Sequence, residues 1–478
     1  MGCWTRQLTQ NIVKNAVKLA RLGMWVGLAV VIGACGNVAT PPAAVTLTNT
    51  SSLTQSPGLE PSGKAGPKLA SAGTATATTA TASPSSTPIP NAQTIAIWWP
   101  APLAPENKAD VKVTLQDQIT RYEAEHTAMT VTLRIKRANG LGGIPDALVS
   151  GSVVAPSAMP DLTLMRREDL ANAVAGKLIH PIDVQSLGID DFFASGLLLG
   201  KIGDIQYGIP YALEVQHLVY RVSALPNPPA SLDDLLNAGQ PFLFPANTIK
   251  SVSMTLLTQY VAAGGRVVSE SGAPILDHDP LLAVLKFYEQ AVNAKVVTPQ
   301  LLDFTTIGQY WPQFVSGKAG IVQTDSTLFL SQQDSLSNVS FVPLLPLAAS
   351  SAPAEKAGPA SIIDGWMWVL TTSDPDRQAR ALNILKWLLE ASQQGDLSQK
   401  IGILPSRQSA LDDWGSNAYL TFARSLLDQV SAPPADTINP IVASQLQNAF
   451  EDVLLGRKSS ESAADDAVAQ VTRLATAQ

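Results

Sequence analysis

Cysteine, histidine and charge are scarce in this chain. Of its 478 residues only two are cysteine (Cys3 and Cys35), four are histidine and 15% are charged. With no cysteine beyond position 35, the body of the chain can form neither a disulfide nor a thiolate metal cluster. The histidines His126, His180, His217 and His278 are scattered, with no i, i+4 pair. Each therefore reads as a surface or partly buried residue and not as a metal ligand. There is no G-x-S-x-G elbow, no H-E-x-x-H and no P-loop, and the glycines of "NGLGG" (139–143) lack dinucleotide-fingerprint spacing, so that stretch reads as a loop. These absences leave a pair of carboxylates as the one hydrolytic device a motif search could miss. The chain is read as a non-enzyme needing no cofactor and no metal. Its formal charge of -7 and pI near 5.2 argue against a nucleic-acid partner, whose affinity rests on neutralised phosphates.

Acids are also missing from the first 34 residues, which carry Arg6, Lys14, Lys18 and Arg21. After Arg21 comes "LGMWVGLAVVIGA", residues 22–34, an uncharged run too short to span a bilayer comfortably and suited to the apolar region of a secretory signal. It ends in Ile32-Gly33-Ala34-Cys35, which resembles the lipobox of bacterial lipoproteins, although leucine is commoner where Ile32 stands. The resemblance implies cleavage before Cys35 and its lipidation; a plain secretory signal or an uncleaved anchor is the alternative. Between Gly36 and Gln93 the only charged residues are Glu60, Lys64 and Lys68, among mainly Thr, Ala, Ser, Pro and Gly. Too little apolar mass is present there to offset ordering entropy, so residues 35–93 are expected to be the anchored cysteine and a disordered tether. A flexible chain of that length reaches roughly 40–45 Å.

From residue 94 the pattern alternates. "TIAIWW" is strand-like and stopped by Pro100, and "NKADVKVTLQDQITRYEAEH" is helical with Val113, Ile119 and Tyr122 near helical spacing. "MTVTLRIKR" is a second strand with Val131, Leu133 and Ile135 on one face, residues 146–154 a second helix, and "DLTLM" a third strand. Such alternation predicts βαβ units and a largely parallel sheet. Beyond residue 215 helices dominate: "LLAVLKFYEQAVNAK", "RQARALNILKWLLEAS", "YLTFARSLLDQV" and "IVASQLQNAFEDVLL" carry apolar stripes that read as core, Trp387 included. "KAGIVQT", "VSFVPLL" and "GWMWVLTT" are strand-like.

Several of these stretches, in order, resemble the extracellular solute-binding proteins of ABC importers, in the sugar-binding branch that includes maltose-binding protein. "TIAIWWP" stands at the family's first strand. "ITRYEAEHTAMTVTLRI" is similar to its helix and second strand, with Thr127 replacing the usual proline, and "MPDLTLM" to its third strand. "GKLIHPID", "QYGIPYALEVQHLVYR", "FVSGKAGIVQTDS", "DGWMWVLTT", "GILPSRQSAL" and "QNAFEDVLLGRKSSESAADDAVAQV" follow in family order, so the likeness runs from about residue 94 to 472. It implies an α/β, two-lobed periplasmic-binding-protein-like fold of type II. Each lobe would be a mainly parallel sheet flanked by helices. Lobe one would be residues 94–211 plus 351–401, and lobe two residues 215–350 plus 403–478. It also implies a monomer that closes on a sugar and docks on importer membrane subunits, anchored on the extracytoplasmic face of the cell membrane.

Open α/β sheets bind ligands beyond the carboxyl ends of their strands, and a sugar needs planar polar groups plus an aromatic face. Those rules select the candidates. Trp98 and Trp99 end the first strand; they are either two core rings or include one facing the cleft, with Trp99 nearer the loop. Arg166 and Arg167 follow the third strand as a clamp for paired hydroxyls or a carboxylate, or as a solvated helix start. Tyr211 and Glu214 lie in the crossing segment, and the resemblance puts Glu214 at a sugar-binding glutamate. Thr324, Asp325 and Ser326 end a strand of lobe two, as cleft groups or a helix N-cap. Thr327, Leu328 and Phe329 stand where the branch has a stacking tryptophan, which speaks against a maltodextrin. Trp366 is a stacking candidate, whereas Trp368 reads as core and Trp311, Tyr310 and Arg407 as core or surface. Two other functions share parts of this pattern: a ligand sensor signalling to a membrane partner, and a cell-wall glycan hydrolase.

Overall fold

The computed structural model describes residues 93–248, 252–347, 362–429 and 438–476. The signal and tether expectations, Cys35 included, lie outside them. Strand β1 (Gln93–Pro100), helix α1 (Ala109–Glu125), strand β2 (Met129–Lys136), helix α2 (Ile144–Val154) and strand β3 (Leu162–Arg166) alternate as the sequence predicts. β1 pairs in parallel with both β2 and β3. The buried stripe of α1 is Val111, Leu115, Ile119 and Tyr122, while Val113 is exposed. The correction follows from the i, i+4, i+8, i+11 spacing, which excludes Val113 from that face. Ile135 also lies exposed, because β2 is the end strand of the sheet and α1 covers only its middle.

The chain then runs through strand β4 (Gly208–Arg221), β5 (Phe242–Leu243), helices α3 (Met254–Ala262), α4 (His278–Asn293) and α5 (Ile307–Val315), strand β6 (Ile321–Asp325), helix α6 (Ser326–Gln332) and strand β7 (Val339–Val342). It returns as β8 (Ile363–Leu370), helices α7 (Pro375–Leu388) and α8 (Ala391–Ile401) and strand β9 (Leu404–Pro405). Helices α9 (Ala418–Leu427), α10 (Pro440–Leu454) and α11 (Ser460–Ala475) complete it. The sheet order is β2-β1-β3-β8-β4-β6-β5, with β7 and β9 also on β4.

This is a two-lobed α/β fold, and β4 joins its halves. From Gly208 to Val215 β4 pairs antiparallel with β8, and from Gln216 onward with β6 and β7. One 14-residue strand thus belongs to both lobes. Side-chain alternation along β1 separates its two tryptophans. Trp99 lies in the core with Ile95, Ile97, Tyr122 and Trp387, whereas Trp98 lies on the other face with Ile144, Leu148 and Met159. The second lobe has its own core, where α4, α10 and α11 pack around Phe244, Tyr288 and Phe450. His217 is fully buried, contrary to the surface or half-buried position expected of every histidine. β4 is covered on both faces there, and the ring Nε2 meets the Tyr419 hydroxyl at 3.0 Å. Burial drives its pKa down to about 4.

Candidate functional site

Strand register brings the site together. β3 and β8 run antiparallel with Arg166 opposite Trp366, and β8 and β4 run antiparallel with Asp364 opposite Glu214. The carboxyl end of β3, the start of β8 and the middle of β4 therefore meet. Arg166 Nη1 donates to Glu214 Oε2 at 2.5 Å, and Nη2 donates to Asp364 Oδ2. The same guanidinium lies 5.2 Å from the centroid of the Trp366 ring. From the second lobe, the Thr327 hydroxyl donates to the other Glu214 oxygen at 2.9 Å. Ser326 Oγ accepts the Val215 N–H at 3.2 Å. Asp325 caps α6, its Oδ1 accepting the Leu328 N–H at 2.7 Å.

Electrostatics at this point are dense. Burial works against the Arg166 charge, but Asp364 and Glu214 outweigh it and hold the group above its ordinary pKa. Burial, then the neighbouring Glu214 charge, push Asp325 up to about 6, and burial also raises Asp364. Arg167, in the turn after β3, is nearly buried; its pKa falls through burial, with the Asp364 charge opposing. One arginine thus serves two carboxylates, with a third carboxylate crowding them. Side chains of Arg166, Glu214 and Asp364 retain partial exposure of 21%, 17% and 34%, so an incoming polar ligand can reach all three.

The structure brings Arg166, Glu214, Asp325 and Trp366 together and sets Arg167 beside them. Trp98, Trp99 and Tyr211 lie elsewhere. Trp99 and Tyr211 are shut inside the lobe-one core, where they and Trp368 pack edge to face at 5.6–5.8 Å. Burial raises the Tyr211 hydroxyl pKa as well. The physical reason is the strand period: Trp99 shares its face with Ile95 and Ile97, beneath α1 and α7, so its place at the strand end does not carry it to the rim. The indole N–H groups of Trp99 and Trp368 are buried with no hydrogen-bond acceptor among the described residues. Trp98 faces α2 with the Lys136 ammonium 3.7 Å above its ring. Two groups were missed. Asp364 opened a strand whose pairing with Glu214 sequence spacing does not reveal, and Thr327 was weighed only as a replacement for a tryptophan.

Among the described residues no helix is long and apolar enough to cross a membrane, and no group of three or more His, Cys, Asp and Glu is placed to hold a metal. Residues 119–422 match the sequence model of a family described as bacterial extracellular solute-binding protein. A search of curated proteins finds no match. Among solved structures, the sugar-binding protein MalE from the phytopathogen Xanthomonas citri superimposes with a TM-score of 0.63 at 15% identity, covering 80% of this chain and 98% of its own. Maltose-bound T. maritima MalE3 gives 0.59 at 16% over 80% and 99%. The cyclic α-maltosyl-1,6-maltose binding protein from Arthrobacter globiformis gives 0.60 at 16% over 81% and 100%.

Proposed function

Because the chain belongs to the bacterial extracellular solute-binding family, we propose that it is a lipid-anchored receptor that captures a carbohydrate between its lobes and delivers it to an ABC importer. Its work is capture and release, with no bond made or broken. The observation that carries this reading is the cluster built from both lobes around β4: Arg166, Asp364 and Trp366 from one side, Thr327 and Asp325 from the other, Glu214 on the shared strand. A carboxylate accepts two hydroxyl bonds at once and a guanidinium donates a fork of them. Vicinal hydroxyls can therefore replace the internal ion pairs bond for bond, while Trp366, nearly buried in the lobe-one core, backs the guanidinium. A ligand touching both lobes favours the closed arrangement by its differential affinity for it.

The lobes are assigned as residues 94–211 plus 351–401 and 215–350 plus 403–478, which fits the change of partner along β4 between Val215 and Gln216. On this reading, lipidation at Cys35 and a tether ahead of β1 hold the body, as a monomer, on the extracytoplasmic face of the cell membrane. Neighbours of like fold are sugar binders by name, which agrees with a sugar but does not select one. Calorimetry against a broad panel of mono- and oligosaccharides is the test. Saturable binding to a sugar supports the reading; silence there with binding to peptides or polyamines overturns it.

A further inference from the structure

A second concave site lies on the other face of the lobe-one sheet, along β1 and β2 and at the amino end of β3. A cavity of about 360 Å³ opens on the face of β1 and β2 that carries Trp98, Thr132 and Arg134, closed on one side by Asp161, Arg377 and Arg380. Asp161 immediately precedes β3 and Arg166 ends it, so the two sites are separated by five residues, roughly 16 Å of strand. They also lie on opposite faces, since Trp98 and Trp366 belong to different cores.

Charge in this cavity is unbalanced. Three guanidinium groups line it against one carboxylate. That carboxylate is already used: Asp161 accepts the Ala96 N–H at 2.7 Å and Arg377 Nε at 2.6 Å. Arg134 and Arg380 make no ion pair among the described residues, and Arg380 Nε is buried with no acceptor at all. A buried donor without a partner forfeits its hydration, and like charges left together repel. Lys136 adds a further cation above the Trp98 ring, and burial together with Arg134 lowers its pKa. In a protein of net charge -7, such a concentration of uncompensated cations is not an average surface. An oxyanion would supply the missing acceptors, and guanidinium forks match its geometry.

We propose that this cavity is an anion site that takes a phosphate group, held by Arg134 and Arg380 with the body of its carrier against Trp98. The volume lies at the lower end of the small-molecule range, enough for a phosphorylated fragment of glycerol or sugar size. The chain enters the body at Gln93, one residue before Thr94, which lines the cavity. The phosphate can come from a free solute or from a lipid headgroup, two sources of the same chemistry.

The test uses the full chain and follows tryptophan emission, with Trp98→Phe identifying the Trp98 contribution. Inorganic phosphate and glycerol 1-phosphate are the free probes; phosphatidylcholine vesicles with and without phosphatidylglycerol are the membrane arm; chloride at equal ionic strength is the control. The expected result is a Trp98-dependent change that saturates, weakened about tenfold or more by Arg134→Ala and by Arg380→Gln. A response to free probes assigns a soluble phosphorylated ligand, and a response confined to phosphatidylglycerol assigns the headgroup. No change beyond chloride in either arm, or a change that survives both substitutions, overturns the proposal. Arg134 is exposed on an end strand, so Arg134→Ala keeps the test valid if Arg380→Gln fails to fold. Sugar affinity measured in parallel stays unchanged in both variants, which separates failure here from failure of the carbohydrate reading.

Discussion

The two sites at the ends of β3, on opposite faces of the lobe-one sheet, handle charge in opposite ways. At the carboxyl ends, Arg166 is shared by Glu214 and Asp364, with Thr327 satisfying the oxygen left over. On the other face, at the amino end of β3, Asp161 is consumed by Arg377 and a backbone amide, and Arg134 of β2 and Arg380 of α7 are left over. A balanced cluster favours a neutral ligand rich in hydroxyls, because such a ligand exchanges hydrogen bonds without bringing charge into a half-buried place. An unbalanced one favours a ligand that brings the missing charge. The same sheet can therefore present two sites of different chemistry, and substitutions at the two ends should diverge in kind.

The largest expected effect falls on the balanced end. Glu214→Ala removes an acceptor for two hydroxyls, and sugar affinity should fall about 100-fold, or about 2.7 kcal/mol. The unliganded protein should keep its thermal stability within about 1 kcal/mol, since Arg166 retains Asp364 and Asp325 loses a like-charged neighbour. Unchanged affinity in calorimetry would move Glu214 to a structural role. Arg166→Met comes next and should do the reverse of a surface change. It strands Glu214 and Asp364 beside Asp325 and should cost about 2 kcal/mol at pH 8, less than a fully buried pair because all three groups are partly exposed. The loss should shrink towards pH 4, as Asp325 and Asp364, both raised by burial, take up protons. A loss equal at both pH values in chemical denaturation would mean that packing against Trp366, not charge, is what Arg166 supplies.

How far the sequence alone reached differs between the strands and the site. The βαβ order, the four amphipathic helices and the crossing segment were legible, because each rests on local period and on stop signals such as Pro100. Glu214 was selected through the resemblance, which set it at a sugar-binding glutamate. What escaped depends on register between distant strands. Asp364 meets Glu214 only because residues 363–369 pair with 208–215, an offset that no local pattern encodes. Trp99 was misplaced for the converse reason. Its place at a strand end left a rim position open, whereas α1 and α7 close over that face and bury the ring completely. The amino-end cavity was invisible because Arg134, Arg377 and Arg380 are spread over two distant segments.

Asp325 ties the comparison to pH. Its pKa of about 6 lies above the ordinary 3.8, so folding penalises its charged form. That cost is absent below pH 4, grows between pH 4 and 6 and stays constant above. Asp325→Asn keeps an oxygen to cap α6 and should stabilise the protein by about 1–2 kcal/mol at pH 8 with no gain at pH 4. A gain of the same size at both pH values in denaturant titrations would remove the charge argument.

The smallest expected effect belongs to the amino end and is the sharpest on the comparison. Arg134→Ala breaks no ion pair among the described residues and relieves Lys136 of a like-charged neighbour. Its stability should therefore stay within about 0.5 kcal/mol of the parent or rise slightly in phosphate-free buffer. Added phosphate should then separate the two proteins, since a ligand stabilises only the form that binds it, by mass action. The parent's midpoint should climb with phosphate while that of Arg134→Ala stays flat. A destabilised Arg134→Ala in the absence of phosphate would show that the cation already has a partner, and the two ends would then differ in degree and not in kind.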